Sequence, residues 1–206
     1  MGAAISQAAG FYHAYKNQAK RPDIVATIGD STFFHAGLPA LVDAVAQNVH
    51  FVLVILDNRT TAMTGNQPTP ASGQGVGSEP LVVVDIEKLV KGCGIDFVQV
   101  ADPYALDTFI PLVRKAVVHS RKNGPAVVIA RHSCLLDRLH PTPSANRVKV
   151  EITADCDGCK YCIDHFECPA ILFDAENECA RIDATLCSDC GVCVHVCPKK
   201  AIRPVM

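Results

Sequence analysis

The sequence predicts an α/β protein, a parallel sheet covered by helices on both faces, followed by a small cysteine-dense α+β domain. Three observations carry this. Four short strand-like runs, IVATI (24–28), FVLVIL (51–56), FVQVA (97–101) and AVVIA (126–130), alternate with stretches whose apolar residues recur at helical spacing. Continuous apolar strands separated by helices are buried on both sides, the signature of parallel sheets. Nine of the 11 cysteines fall between 156 and 197, where CDGCKYCIDHFECP (156–169) is echoed 31 residues later by CSDCGVCVHVCP (187–198). Finally, 206 residues that are 49% hydrophobic can build one ordinary domain and a small second one.

The elements follow in order. Residues 2–19 are alanine-rich with aromatics at Phe11, Tyr12 and Tyr15, which predicts a helix. IVATI ends at Gly29 and reads as the first buried strand. AGLPALVDAVAQN (36–48) has helical spacing, and FVLVIL is the second strand. A long loop (57–80) carries three prolines and four glycines. Residues 85–93 predict a short helix and FVQVA the third strand. A longer amphipathic helix (104–122) meets the stop signal Asn123-Gly124, and AVVIA is the fourth strand. Residues 1–132 are thus assigned to the α/β domain. SCLLDRLHPTPSANR (133–147), with two prolines, predicts a linker, and 148–206 form the second domain.

A net charge of −2 gives no support to a nucleic-acid partner. No apolar run approaches the roughly 18 residues of a membrane span. No basic start leads into an apolar signal core, so the expectation is a cytoplasmic protein with reduced thiols. An odd cysteine count in tight CxxC spacing then points to metal rather than to disulfides.

An iron–sulfur cubane needs four thiolates around a compact core. Three cysteines at CxxCxxC spacing wrap one corner, and the fourth, followed by proline, ligates the other cluster in the bacterial two-cluster arrangement. The spacing assigns Cys156, Cys159, Cys162 and Cys197 to one 4Fe–4S cluster, and Cys187, Cys190, Cys193 and Cys168 to a second. Zinc sites pair CxxC with a distant CxxC or HxxxH and fit the repeated run poorly. The spacer from Cys162 to Cys168 is five residues rather than the usual three, which inserts His165 and Phe166 beside the second cluster. Cys93, Cys134 and Cys179 read as ordinary buried thiols.

IGDS (28–31) and LDN (56–58) each follow a buried strand with one helix between them. In a right-handed βαβ unit both strand ends open onto the same edge, where open α/β sheets bind ligands. Gly29 lets the backbone come close to a ligand, Asp30 supplies a carboxylate and Asn58 an amide oxygen. Such oxygen ligands suit Mg²⁺, which fills its octahedron with phosphate oxygens. A helix beginning near Ala36 would point its positive end at the same place. From this pattern alone, plain turn and capping residues explain the same letters equally well.

GDS followed by 26 residues and then Asn resembles the thiamine diphosphate motif. GDSTFFHAGLPALVDAV, then LDNRTTAMTGNQPTP, then the two-cluster tail is similar to the carboxyl-terminal part of the large subunit of the indolepyruvate:ferredoxin oxidoreductases, over nearly the whole chain. The tail by itself resembles a bacterial two-cluster ferredoxin. The resemblance implies that Asp30, Asn58 and the backbone carbonyl of Thr60 hold Mg²⁺ against the diphosphate. It implies that Gly29, Ser31, Thr64, Gly65 and Gln67 line the cofactor and that His35 lies near the reacting carbon. The bland reading of His35, a first-turn helix residue facing solvent, stands beside it.

The activity implied is oxidative decarboxylation of a 2-oxo acid, with thiamine diphosphate as the electron sink. Two cubanes take the electron pair one at a time and pass it to an external ferredoxin, and the acyl group goes to coenzyme A. The resemblance also implies an oligomeric assembly with a beta subunit. Thiamine enzymes need a second, pyrimidine-binding domain, and only one helix precedes the first strand here. The expectation is a truncated or separately encoded piece, or a pyrimidine domain on another polypeptide. Two other readings remain open at this point: the same chemistry on pyruvate or another 2-oxo acid, and a non-catalytic electron carrier whose α/β domain only docks it.

Overall fold

The computed structural model describes residues 2–75, 79–137 and 147–205. Most of the expected linker, residues 138–146, lies outside the described residues, as do 76–78 of the long loop. The contacts divide the chain into two compact units, Met1–Cys134 and Leu135–Met206. Among the described residues no helix is long and apolar enough to cross a membrane.

The first unit is a four-stranded parallel sheet, β1 (Val25–Gly29), β2 (Val52–Asp57), β5 (Phe97–Ala101) and β6 (Ala126–Arg131), in the order β1-β2-β6-β5. Alternation explains its two cores. Leu53 and Ile55 of β2 and Val127 and Ile129 of β6 face α1 (Ala3–Tyr15), α3 (Leu38–Ala46) and α4 (Ile86–Gly92), packing on Ile5, Leu41 and Val90. Val52, Val54, Ala126 and Val128 point the other way, against Ala116 of α5 (Leu106–Asn123). Each fully buried Leu, Ile or Phe is worth about 1.5–3 kcal/mol, so the central strands β2 and β6 carry the sheet.

After β1 the structure departs from the sequence expectation. The helix does not begin near Ala36. Helical backbone starts at Asp30 with α2 (Asp30–Thr32), runs through a π-helical turn (Phe33–Gly37) and continues as α3. The reason is local: Gly29 is still extended, and the side chain of Asp30 accepts the next N–H, that of Ser31, at 2.8 Å. The π turn buries Phe33 and Gly37, whose tight fit against Ile28 leaves no room for a side chain. The long loop is not structureless either. It holds a small hairpin, β3 (Thr60–Thr61) paired with β4 (Gln67–Pro68), around a 3₁₀ turn (Ala62–Thr64).

The second unit repeats itself as its sequence does. β7 (Val150–Ile152) pairs with β10 (Ile202–Pro204), and β8 (Ile171–Asp174) with β9 (Cys179–Ile182), both antiparallel. Each CxxCxxC run ends in a single helical turn, α6 (Tyr161–Asp164) or α7 (Cys193–Val196). Within each run the second and fourth residues after the first cysteine are left-handed: Gly158 and Lys160 in one, Asp189 and Gly191 in the other. The glycine and the side-chain-bearing residue have swapped places, but the backbone wrap is the same.

Candidate functional site

The register of the sheet builds the first site. Gly29 pairs with Leu56, Leu56 with Ala130 and Asp57 with Arg131, so β1, β2 and β6 end level at one edge. Asp30, one residue beyond β1, is 2% exposed and Asp57, the last residue of β2, is 1% exposed. Arg131 Nε donates to Asp57 Oδ2 at 2.6 Å, while Asp57 Oδ1 finds no donor among the described residues. Burial pushes the Asp30 carboxyl up to about 6, with the nearby charge of Asp57 adding to it. The N–H groups of Ser31 and Arg59 and the Thr69 hydroxyl oppose the rise. Of the two buried carboxylates only Asp57 has an arginine partner, and the uncompensated charge at Asp30 is what a cation would neutralise.

Asn58 follows Asp57, and its Oδ1 accepts the Thr60 N–H at 3.1 Å in a tight turn through Arg59, whose φ is 59°. Thr60 is buried, and its register partner is Pro68, which has no N–H to offer the Thr60 carbonyl. Asp30, Asn58 and Thr60 thus provide an all-oxygen donor set of the kind Mg²⁺ takes. Gly29 has a φ of −72°, and a Cβ there would meet nothing within 4 Å. The protein's own packing therefore does not account for the glycine. Thr64, Gly65 and Gln67 cluster at the hairpin tip: the Gln67 amide donates to the Thr64 carbonyl at 2.6 Å, the Thr64 hydroxyl meets Gln67 Oε1, and Gly65 takes a φ of 111°. His35 is exposed on the π turn rather than in a first helical turn.

Three residues without an assigned role in the sequence analysis belong here. Thr69 is buried and its hydroxyl donates to Asp30 Oδ2 at 3.3 Å, tying the returning loop to the site. Asp57 and Arg131 form the ion pair. A charged residue ending an otherwise apolar strand was the available signal for both; nothing in NQPTP singles out Thr69.

The second unit gathers its cysteines into two groups. Cys156, Cys159, Cys162 and Cys197 line one cavity, with Gly158, Phe173, Ala180 and Ala201. Cys168, Cys187, Cys190 and Cys193 line another, with Phe166 from the lengthened spacer. The thiols sense one another within each group. Burial and then Cys190, Cys168 and Cys187 push Cys193 up to about 11, and Cys162 is raised by burial with Cys156, Cys197 and Cys159. Backbone N–H groups of Ala180 and Ala201 reach the sulfurs of Cys156 and Cys197 at 3.5 and 3.3 Å. Among the described residues no three His, Cys, Asp or Glu side chains converge on a point that would hold a single ion. Four thiols nevertheless line each cavity, the number one 4Fe–4S cluster takes. Cys93, Cys134 and Cys179 join neither cavity and are half-buried.

Residues 1–130 match the family of the thiamine pyrophosphate enzyme, C-terminal TPP binding domain, and residues 180–203 match the 4Fe-4S binding domain. The chain is 43% identical over 205 residues to the indolepyruvate oxidoreductase subunit IorA of Archaeoglobus fulgidus, covering 99% of this chain and 31% of that protein. It is 39% identical over 197 residues to the IorA of Thermococcus kodakarensis, covering 93% and 29%. The chain therefore spans about a third of the length of the curated relatives it matches. Among solved structures, the 2-oxoglutarate:ferredoxin oxidoreductase of Magnetococcus marinus superposes with a TM-score of 0.54 at 23% identity, over 65% of this chain and 45% of that one. That likeness establishes the α/β fold. The chain belongs to the thiamine pyrophosphate enzymes, whose C-terminal TPP-binding domain it carries, joined in the same polypeptide to a 4Fe–4S binding domain.

Proposed function

We propose that this chain is the diphosphate-binding and electron-transfer part of a 2-oxoacid:ferredoxin oxidoreductase acting on arylpyruvates such as indolepyruvate. The observation that carries it is the pairing, in one polypeptide, of the buried Asp30–Asp57 edge with two four-cysteine cavities. In this reading Asp30, Asn58 and the Thr60 carbonyl hold Mg²⁺, and the N-terminus of the helical run at Ser31 faces the diphosphate. Gly29 gives the backbone access, and Thr64, Gly65 and Gln67 shape the wall of the site. His35, exposed on the π turn, is assigned by the same reading to the neighbourhood of the reacting carbon. Arg131 and Thr69 position the two carboxylates. Thiamine diphosphate held there would supply the electron sink for decarboxylation of a 2-oxo acid.

Cys156, Cys159, Cys162 and Cys197 hold one 4Fe–4S cluster, and Cys168, Cys187, Cys190 and Cys193 the other. Electrons pass through them to an external ferredoxin, and coenzyme A takes the acyl group. A pyrimidine-binding domain, on the same or another polypeptide, and a beta subunit complete an oligomeric enzyme in the cytoplasm, where thiols stay reduced. The name shared by the IorA relatives favours indolepyruvate over pyruvate.

The test is calorimetry of thiamine diphosphate with Mg²⁺, in the presence of a pyrimidine-domain partner, on the native chain and on Asp30→Ala. Binding that needs both Mg²⁺ and Asp30 supports the reading. No binding by the native chain leaves only an electron carrier. About eight irons and eight sulfides per chain are expected for two cubanes; zinc in their place would refute the cluster assignment.

A further inference from the structure

The two cysteine cavities have the same backbone wrap and unequal electrostatics. The first is lined by Lys160 and Lys199. Lys199 Nζ stands 3.0 Å from Asp157, the acid that lines this cavity, and neutralises it. Lys160 Nζ sits 4.0 Å from the centroid of Phe173, which holds the ammonium beside the cavity. One corner, Cys159, is exposed. The second cavity is lined by Leu136, Phe166, Pro169, Ile171, Ile182 and Leu186, with no lysine or arginine. Beside it stands Asp189, whose Oδ1 is 3.6 Å from Cys187 Sγ and which has no cationic partner among the described residues. Backbone N–H groups reach sulfurs at both cavities, at Cys156 and Cys197 in the first and at Cys187 in the second. That lever does not separate the two.

Net charge and solvent exposure around a cluster are among the levers that set its potential. A reduced cluster carries one more negative charge than an oxidised one. Cations at the first cavity favour that charge, and the bare carboxylate beside the second, with no cation in its lining, opposes it. We propose that the cluster held by Cys156, Cys159, Cys162 and Cys197 has the higher potential and is the one from which electrons leave, with Lys160, Lys199 and Asp189 as the residues that set the order. This rests on the reading that both cavities hold 4Fe–4S clusters. The step is a one-electron transfer: the second cluster is oxidised by one electron and the first is reduced by one, with no bond made and no proton moved. The electron then goes from the exposed Cys159 corner to a one-electron carrier.

The experiment is an anaerobic redox titration of the reconstituted full chain, followed by paramagnetic resonance, on the native protein, on Lys160→Gln/Lys199→Gln and on Asp189→Asn. Iron and sulfide are counted first, so a failure of the cluster reading shows before any potential is measured and overturns the inference with it. Two resolved reduction steps are expected. The double lysine variant should move only the step that comes first, lowering its reduced-to-oxidised ratio about tenfold at fixed potential, or ~59 mV for one electron. Asp189→Asn should move only the later step, in the opposite direction. Two clusters of equal potential, or a lysine variant that shifts the later step, would overturn the proposal.

Discussion

Asp30→Asn should stabilise the cation-free α/β unit and abolish its response to Mg²⁺. In the folded chain the Asp30 carboxyl is pushed up to about 6 from an ordinary 3.8, chiefly by burial. A raised carboxyl binds its proton more tightly folded than unfolded. Stability from this source is therefore greatest at low pH and is lost as pH rises through about 6. The shift corresponds to about 3 kcal/mol. All of it opposes folding at pH 7.5, and about half of it at pH 5. Asparagine keeps an oxygen for the Ser31 N–H and removes the charge that repels Asp57. The variant should exceed the native chain by up to about 3 kcal/mol at pH 7.5, and by about half as much at pH 5. Saturating Mg²⁺ with thiamine diphosphate should then restore the native chain, by about 2.7 kcal/mol at a hundredfold excess over Kd, and leave the variant unmoved. Denaturant unfolding followed by far-ultraviolet circular dichroism at the two pH values reads this directly. An Asp30→Asn chain less stable than the native one at pH 7.5, or one that still gains from Mg²⁺, would refute the reasoning.

Other perturbations test other parts of the account. Arg131→Met leaves the Asp57 carboxylate buried without its ion partner and should cost about 3–5 kcal/mol, read in the same unfolding assay; a loss under about 1 kcal/mol would show that the pair is solvated. Gly158→Ala places a Cβ 2.3 Å from the Glu178 carbonyl at a φ of 66°. It should lower iron content toward half with the second cluster kept, whereas full iron loading would show that the loop gives way. Cys168→Ser should remove the cluster shared with Cys187, Cys190 and Cys193 and spare the other, by iron count and resonance spectrum; loss of the Cys156 cluster instead would break the crossed assignment. Cys93→Ala, in a half-buried thiol bonded to the Leu89 carbonyl at 3.3 Å, should leave iron content unchanged.

Periodicity was a reliable guide where burial decides structure. FVLVIL and AVVIA are almost wholly apolar because these central strands are buried on both faces, and runs this short bounded by turn signals fit a covered parallel strand. The cysteine spacing is consistent with the two cavities for a similar reason, since a CxxCxxC run supplies three sulfurs and a fourth must come from elsewhere in the chain. The helix start was misplaced because propensity favours the alanine-rich stretch from Ala36. The helix actually begins within GDS, directly after the extended Gly29, with the Asp30 side chain accepting the Ser31 N–H. Asp57, Arg131 and Thr69 were not legible as a set. Their meeting depends on the register Asp57↔Arg131 and on a loop that returns from Pro68 to Asp30, both long-range facts with no local trace.

The most direct test adds indolepyruvate, coenzyme A, thiamine diphosphate and Mg²⁺ to the anaerobic, cluster-loaded chain together with a pyrimidine-domain partner, and follows the visible absorption of the clusters. The account requires bleaching as the cubanes are reduced, lost in Asp30→Ala although that variant still bleaches with a chemical reductant. Bleaching that persists without Asp30, or a native chain that responds only to the chemical reductant, would contradict it.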